Sequence, residues 1–311
     1  MRIENEKDGE NVTPDEQPRS PSSILNSQFD SAGTSADVPK ESPRTILFQF
    51  VLFPLGIVAV AVGIFFLFGK LASDEQSIPD YLNEVKSGGR RERWQAAYQL
   101  SQLINVGEAK KYPNLVHDIA KIYVDAKTDD PRIRQYLSMV LGNLGDRRAT
   151  PLLVEALGDP TQETRIYAAL ALGRLRDPNA VPPLLKTFAS DERDVRKAAA
   201  YALGEIGDRR AIEPLTGALN DPVADVRFNV AIALARLGDI RAVGVLREML
   251  DRSRLDRVQG MRPEQKEQAI LAAIPALRKI APDEAAKILG TLAQSDPSLQ
   301  VRSAAKEALA K

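Results

Sequence analysis

The chain has no cysteine, a single histidine, a single tryptophan and no excess of charge of either sign. Missing thiols exclude disulfides, thiolate metal sites and a cysteine nucleophile. One imidazole, His117, excludes a metal centre built from several histidines. Lys plus Arg equals Asp plus Glu at 42 each, so no global field draws in nucleic acid or anionic lipid. Recognisable catalytic signatures are missing too: there is no GxxxxGK[ST], no HExxH, no GxSxG and no strand-borne GxGxxG. The paired acids Asp129/Asp130 and Asp221/Asp225 fall in turns, where capping and solvation account for them. The expectation is a non-enzymatic protein with no cofactor and no metal.

Three segments follow one another. Residues 1–45 have no sustained apolar period, five prolines, and five basic against nine acidic side chains for a net of −4. Such a segment buries too little apolar area to offset its ordering entropy and is expected to be a disordered acidic tail. Residues 46–68, ILFQFVLFPLGIVAVAVGIFFLF, carry no charge. A helix of that length spans roughly 34 Å, enough for a bilayer core. It begins too far from the N-terminus for a signal peptide and lacks a cleavage site. The expectation is one transmembrane helix, a connector at 69–76, and a single-pass membrane protein. Lys40 and Arg44 before the span against Lys70 after it favour a cytoplasmic tail and an extracytoplasmic remainder.

What fills residues 77–311 is repetition. Asp146, Asp177, Asp208 and Asp239 stand 31 residues apart, and Arg134, Arg165, Arg196 and Arg227 keep the same interval. A fixed period of this length marks a solenoid of small units that bury their apolar faces against neighbours. Each unit reads as two helices. Pro151, Pro182 and Pro214 suit a first helical turn, Asp146, Asp208 and Asp239 suit N-caps, and Gly145, Gly207 and Gly238 suit left-handed C-caps. Counting from the arginine, apolar residues recur at +3, +4, +7 and +10, the core stripe of the second helix. The leucine at +7 (Leu100, Leu141, Leu172, Leu203, Leu234, Leu277, Leu309) gives about seven repeats. Small residues at +8 (Gly142, Gly173, Gly204, Ala235) predict close approach of adjacent layers.

The pattern D-V-R-x-x-A-A-x-A-L-G-x-I-G-D-x-R-A resembles the HEAT-repeat family, in the short form known from phycobilisome bilin lyases. The resemblance implies an all-α, α-solenoid fold whose second helices line the concave face. It also implies a structural ladder of Arg134, Arg165, Arg196 and Arg227 with Asp194 and Asp225. Deoxyhypusine hydroxylase, built on related repeats, holds di-iron with His-Glu dipeptides; here the lone His117 precedes Asp118. A bilin-lyase-like enzyme or subunit is the alternative that the resemblance keeps open.

A preformed groove makes binding the leading functional expectation. Positions +2, +5 and +9 of the second helices point away from the core stripe. They supply Tyr136, Tyr167, Arg174, Tyr201, Glu205, Asn229 and Arg236, with Tyr98 from the first repeat. Tyr and Arg are the types that carry interface energy, so these residues form the candidate concave site for a protein partner, a membrane complex being one candidate. The insertion DRSRLDRVQGMRP, Asp251–Pro263, offers Arg254, Arg257 and Arg262 as a second contact, unless it is merely a mobile loop. Arg90, Arg91 and Arg93 beside Trp94 permit a third reading, a lipid-headgroup scaffold.

Overall fold

The computed structural model describes residues 52–72, 77–105, 107 and 111–310. The acidic tail, residues 46–51 and residues 73–76 of the connector lie outside the described residues. The chain divides into two compact units, Met1–Asp74 and Glu75–Lys311. Among the described residues every regular element is helical.

In the first unit, α1 runs over Phe53–Ala72. Its Leu55, Ile57, Val58, Phe65 and Phe66 side chains are exposed. Here the single-pass expectation is corrected. Among the described residues no helix is long and apolar enough to cross a membrane. Within the described residues, the uncharged part of α1 from Phe53 to Gly69 rises only about 26 Å, short of the roughly 30 Å hydrocarbon core. The extracytoplasmic placement of the repeats rested on that anchor and falls with it.

The second unit is a stack of helix pairs: α2 (Ile78–Ser87) with α3 (Arg90–Leu103), α4 (Leu115–Asp125) with α5 (Pro131–Leu144), and α6 (Thr150–Ala156) with α7 (Gln162–Leu175). Next come α8 (Val181–Phe188) with α9 (Arg193–Ile206), and α10 (Ile212–Gly217) with α11 (Ala224–Arg236). The array ends with α12 (Val243–Leu250), the short α13 (Arg252–Leu255) and α14 (Pro263–Ile280), then α15 (Pro282–Ser295) with α16 (Leu299–Ala310).

Local chemistry sets the boundaries. Asp146, Asp177, Asp208 and Asp239 each accept the backbone N–H two residues on. They cap a 3₁₀ turn that leads into the first helix rather than the helix itself. Gly145, Gly207 and Gly238 take φ of 69°, 76° and 82°, the left-handed C-cap that costs a Cβ-bearing residue strain. The corresponding residue of the intervening repeat is Arg176, at φ 49°.

The core stripe is buried as the period predicts. Leu100, Leu141, Leu172, Leu203, Leu234 and Leu277 are fully buried, whereas Leu309, on a face of α16 against which no layer stacks among the described residues, is 43% exposed. The second helices α3, α5, α7, α9, α11, α14 and α16 pack in sequence, each on the next. First helices pack on their own second helix far more than on one another. The glycines at +8 explain the asymmetry. A Cβ on Gly142, Gly173 or Gly204 would lie 2.9, 2.9 and 2.7 Å from the Cα of Ala171, Ala202 and Ala233, so these backbones approach as closely as sterics allow. The second-helix side, where the layers lie closest, is termed the inner face.

Candidate protein-binding surface

Helices α3, α5 and α7 bring four aromatic side chains together on the inner face. Tyr98 meets Tyr136 edge-on with centroids 5.2 Å apart. Tyr136 meets Tyr167 at 6.5 Å and stacks on Trp94 at 6.5 Å. The Arg132 guanidinium lies 4.1 Å over the Trp94 ring, a favourable cation–π geometry. Burial pushes the Tyr136 hydroxyl above its ordinary pKa, helped by Tyr167 and Tyr98 and opposed by Arg132. Among the described residues the hydroxyls of Tyr98, Tyr136, Tyr167 and Tyr201 have no hydrogen-bond partner, so each is available to an incoming chain.

Farther along, the inner face becomes ionic. Arg174 donates to Asn143 Oδ1 at 2.6 Å, and Asn143 donates to the Ser101 carbonyl at 3.1 Å. Glu205 is held between Arg236 at 2.7 Å and Arg176 at 3.0 Å. Arg236 also lies 5.2 Å over the Tyr201 ring. Asn229 donates back to the Asp225 carbonyl at 2.8 Å, so its amide is used within its own helix. The structure therefore groups Tyr98, Tyr136 and Tyr167 in one cluster and Tyr201, Glu205 and Arg236 in another. Arg174 sits between them.

Trp94 and Arg132 belong to the aromatic cluster, yet they lie at +1 and −2 of the repeat, outside the three positions read from the sequence. The available signal was that Trp94 and Arg132 precede Tyr98 and Tyr136 by four residues, one helical turn, on neighbouring second helices.

The ladder has different carboxylates from those expected. Arg134 pairs with Asp159, Arg165 with Glu192, Arg196 with Asp221 and Arg227 with Glu248. Asp194 instead holds Lys197 on its own helix, and the Asp225 carboxylate forms no ion pair among the described residues. The reason is geometric. The arginine opens the second helix and also donates to carbonyls five and six residues back, as Arg165 does to Pro160 and Asp159. Asp159, Glu192 and Asp221, which complete three of the rungs, accordingly lie at or beside the next layer's turn, whereas Glu248 lies inside α12. Arg93 makes the same kind of rung with the Val85 carbonyl and Asp129, which removes it from the headgroup reading.

The Asp251–Pro263 insertion is not a free loop. Leu255 is fully buried, Asp251 caps α13, and Arg252 grips Asp296 with two bonds of 2.8 and 2.7 Å. Arg254 and Arg257 face a groove beside Arg227, while Arg262 caps α14 through Gln265. His117 is exposed in a cleft with Leu82, Tyr112 and Ile122. Among the described residues no group of three or more His, Cys, Asp or Glu is arranged to hold a metal ion.

Comparison with protein families matches HEAT repeats at residues 122–203 and 181–262. This part of the solenoid consists of HEAT repeats. No curated protein matches the chain. Among solved structures, the complex of CpcE and CpcF of phycocyanin lyase from Nostoc sp. PCC7120 is 22% identical, over 76% of this chain and 95% of that one, with a TM-score of 0.51. A designed armadillo repeat protein in complex with the peptide (KR)4 is 19% identical, over 65% and 99%, with a TM-score of 0.44. Human deoxyhypusine hydroxylase is 20% identical, over 78% and 97%, with a TM-score of 0.33. At 22% identity the likeness to the lyase complex shows the solenoid fold alone. Such solenoids commonly mediate protein interaction.

Proposed function

We propose that this HEAT array is a non-catalytic scaffold that captures a protein partner along its inner face. The carrying observation is the row of touching aromatic rings, Trp94, Tyr98, Tyr136 and Tyr167, whose tyrosine hydroxyls are unengaged among the described residues and which leads directly into Arg174 and the Glu205–Arg236 pair. Rigid aromatic rings with one polar tip supply binding area at low entropic cost, and here they are held in place by one another before any partner arrives. Arg174, Glu205 and Arg236 would fix register, since charges at a rim select partners more than they add affinity.

The test is crosslinking and affinity capture of the whole chain from native cells, followed by mass spectrometry, comparing the parent with Tyr167→Ala/Arg174→Ala. Stoichiometric capture of one protein by the parent and its loss in the variant, with helicity retained, supports the reading. Equal capture by both proteins removes the inner face from the account.

A further inference from the structure

From Arg134 to Arg196 the rungs keep a narrow range of spacing, from which Arg227 departs. Arg134 and Arg196 each reach an acid 25 residues on, and Arg165 one 27 residues on. For Arg227 the same two positions are Arg252 and Arg254. Arg227 turns instead to Glu248, 21 residues on and inside helix α12, at 2.9 Å. Arg252 is committed to Asp296 in the final helix pair. The insertion thus places cations where the preceding rungs have an acid.

Around that position lies a groove of about 560 Å³ whose charged lining is Arg227, Arg254, Arg257 and Glu248. Three guanidinium groups face one carboxylate. Arg254 has a single outside partner, Asp251 at 3.4 Å, and Arg257 has no side-chain partner among the described residues. Pro222, Val223 and Ala224, at the start of α11, complete the wall, so the positive end of that helix adds to the same field.

We propose that this groove is a second recognition site, which takes a carboxylate side chain from an acidic segment of a protein partner and so completes the interrupted ladder. The inference does not depend on the inner-face reading. Forked guanidinium groups match a carboxylate with two parallel hydrogen bonds. Glu248 in the lining disfavours a more highly charged anion such as phosphate. Arg254, Arg257 and Gln259 are exposed, so a chain segment can reach the groove without rearrangement of the repeats.

The experiment titrates a fluorescein-labelled peptide of alternating Glu and Ser against the whole chain at low salt, read by anisotropy. The same peptide with Gln for Glu serves as the control. The parent is expected to bind the Glu peptide, the Gln peptide to bind at least about ten-fold more weakly, and Arg254→Ala/Arg257→Ala to lose at least about ten-fold in affinity. Tyr167→Ala/Arg174→Ala is expected to bind as the parent does, which separates this site from the inner face. Should the double arginine variant misfold, Arg257→Gln alone, which forfeits no internal contact, carries the same expectation in smaller measure. Unchanged affinity in the arginine variants, equal binding of the Gln peptide, or loss of binding in the tyrosine variant overturns the proposal. Displacement of the peptide by micromolar inorganic phosphate overturns it in favour of a small-anion site.

Discussion

Gly207 and the repeat aspartates show how much of this fold is written residue by residue. At φ 76° with nothing within 4 Å of an added Cβ, Gly207 is kept by backbone strain alone. Gly207→Ala is therefore expected to cost about 1 kcal/mol, read as a lower denaturant midpoint with unchanged slope. The aspartates make a pH prediction. Hydrogen bonds from Arg148, Arg210 and Arg241 hold the Asp146, Asp208 and Asp239 carboxyls below the usual carboxylate range. A carboxyl with a lower pKa folded than unfolded contributes stability fully above its unfolded pKa, about 3.9 for Asp. That contribution is lost as the pH falls through the lower, folded value. Melting temperature should therefore be level from neutrality to about pH 5 and fall below about pH 4. All three carboxylates are partly solvated, so added salt should reduce the effect.

At the scale of elements, the contacts between second helices decide the stack. Gly204 faces Ala233, and an added Cβ would lie 2.7 Å from both its Cα and its Cβ. Because the obstacle is backbone, Gly204→Ala must push α9 and α11 apart. A cost of about 1–3 kcal/mol is expected from overpacking, measured by chemical denaturation. The buried rung makes a sharper case. The side chains of Arg134 and Asp159 are 9% and 4% exposed, and the Arg134 guanidinium also lies 4.6 Å over the Tyr123 ring. Arg134→Met removes the cation and leaves Asp159 buried without its charge partner, an expected loss of about 3–5 kcal/mol. Arg134→Met combined with Asp159→Leu should recover much of that loss, because the desolvation of both charges then disappears together.

For the whole molecule, the array is close to one-dimensional: each layer touches its neighbours, so the surface can change without disturbing the stack. Tyr167 and Arg174 lie on that surface, and Tyr167→Ala/Arg174→Ala is expected to lower stability by less than about 1 kcal/mol while abolishing capture. Melting and capture measured on the same preparation check both halves. A large fall in melting temperature would mean that the tyrosine packs the layers together instead of serving a partner.

The sequence by itself determined the solenoid. Its period fixes which residues face the core, and local rules place the caps at Gly145, Gly207 and Gly238 and the small contact residues at Gly142, Gly173 and Gly204. These follow from interactions within one turn or between adjacent copies of the same pattern, so a single repeat predicts its neighbours. That Tyr98, Tyr136 and Tyr167 share one register on neighbouring second helices was legible for the same reason. Only the tertiary structure decided which acid completes each rung, because Asp159, Glu192, Asp221 and Glu248 reach their arginines across layers and stand at no constant spacing. It also decided that Trp94 and Arg132 join the tyrosine cluster, and that the Asp251–Pro263 insertion folds inward around Leu255. These depend on how neighbouring layers are rotated and spaced, a property of the stack that no single repeat contains.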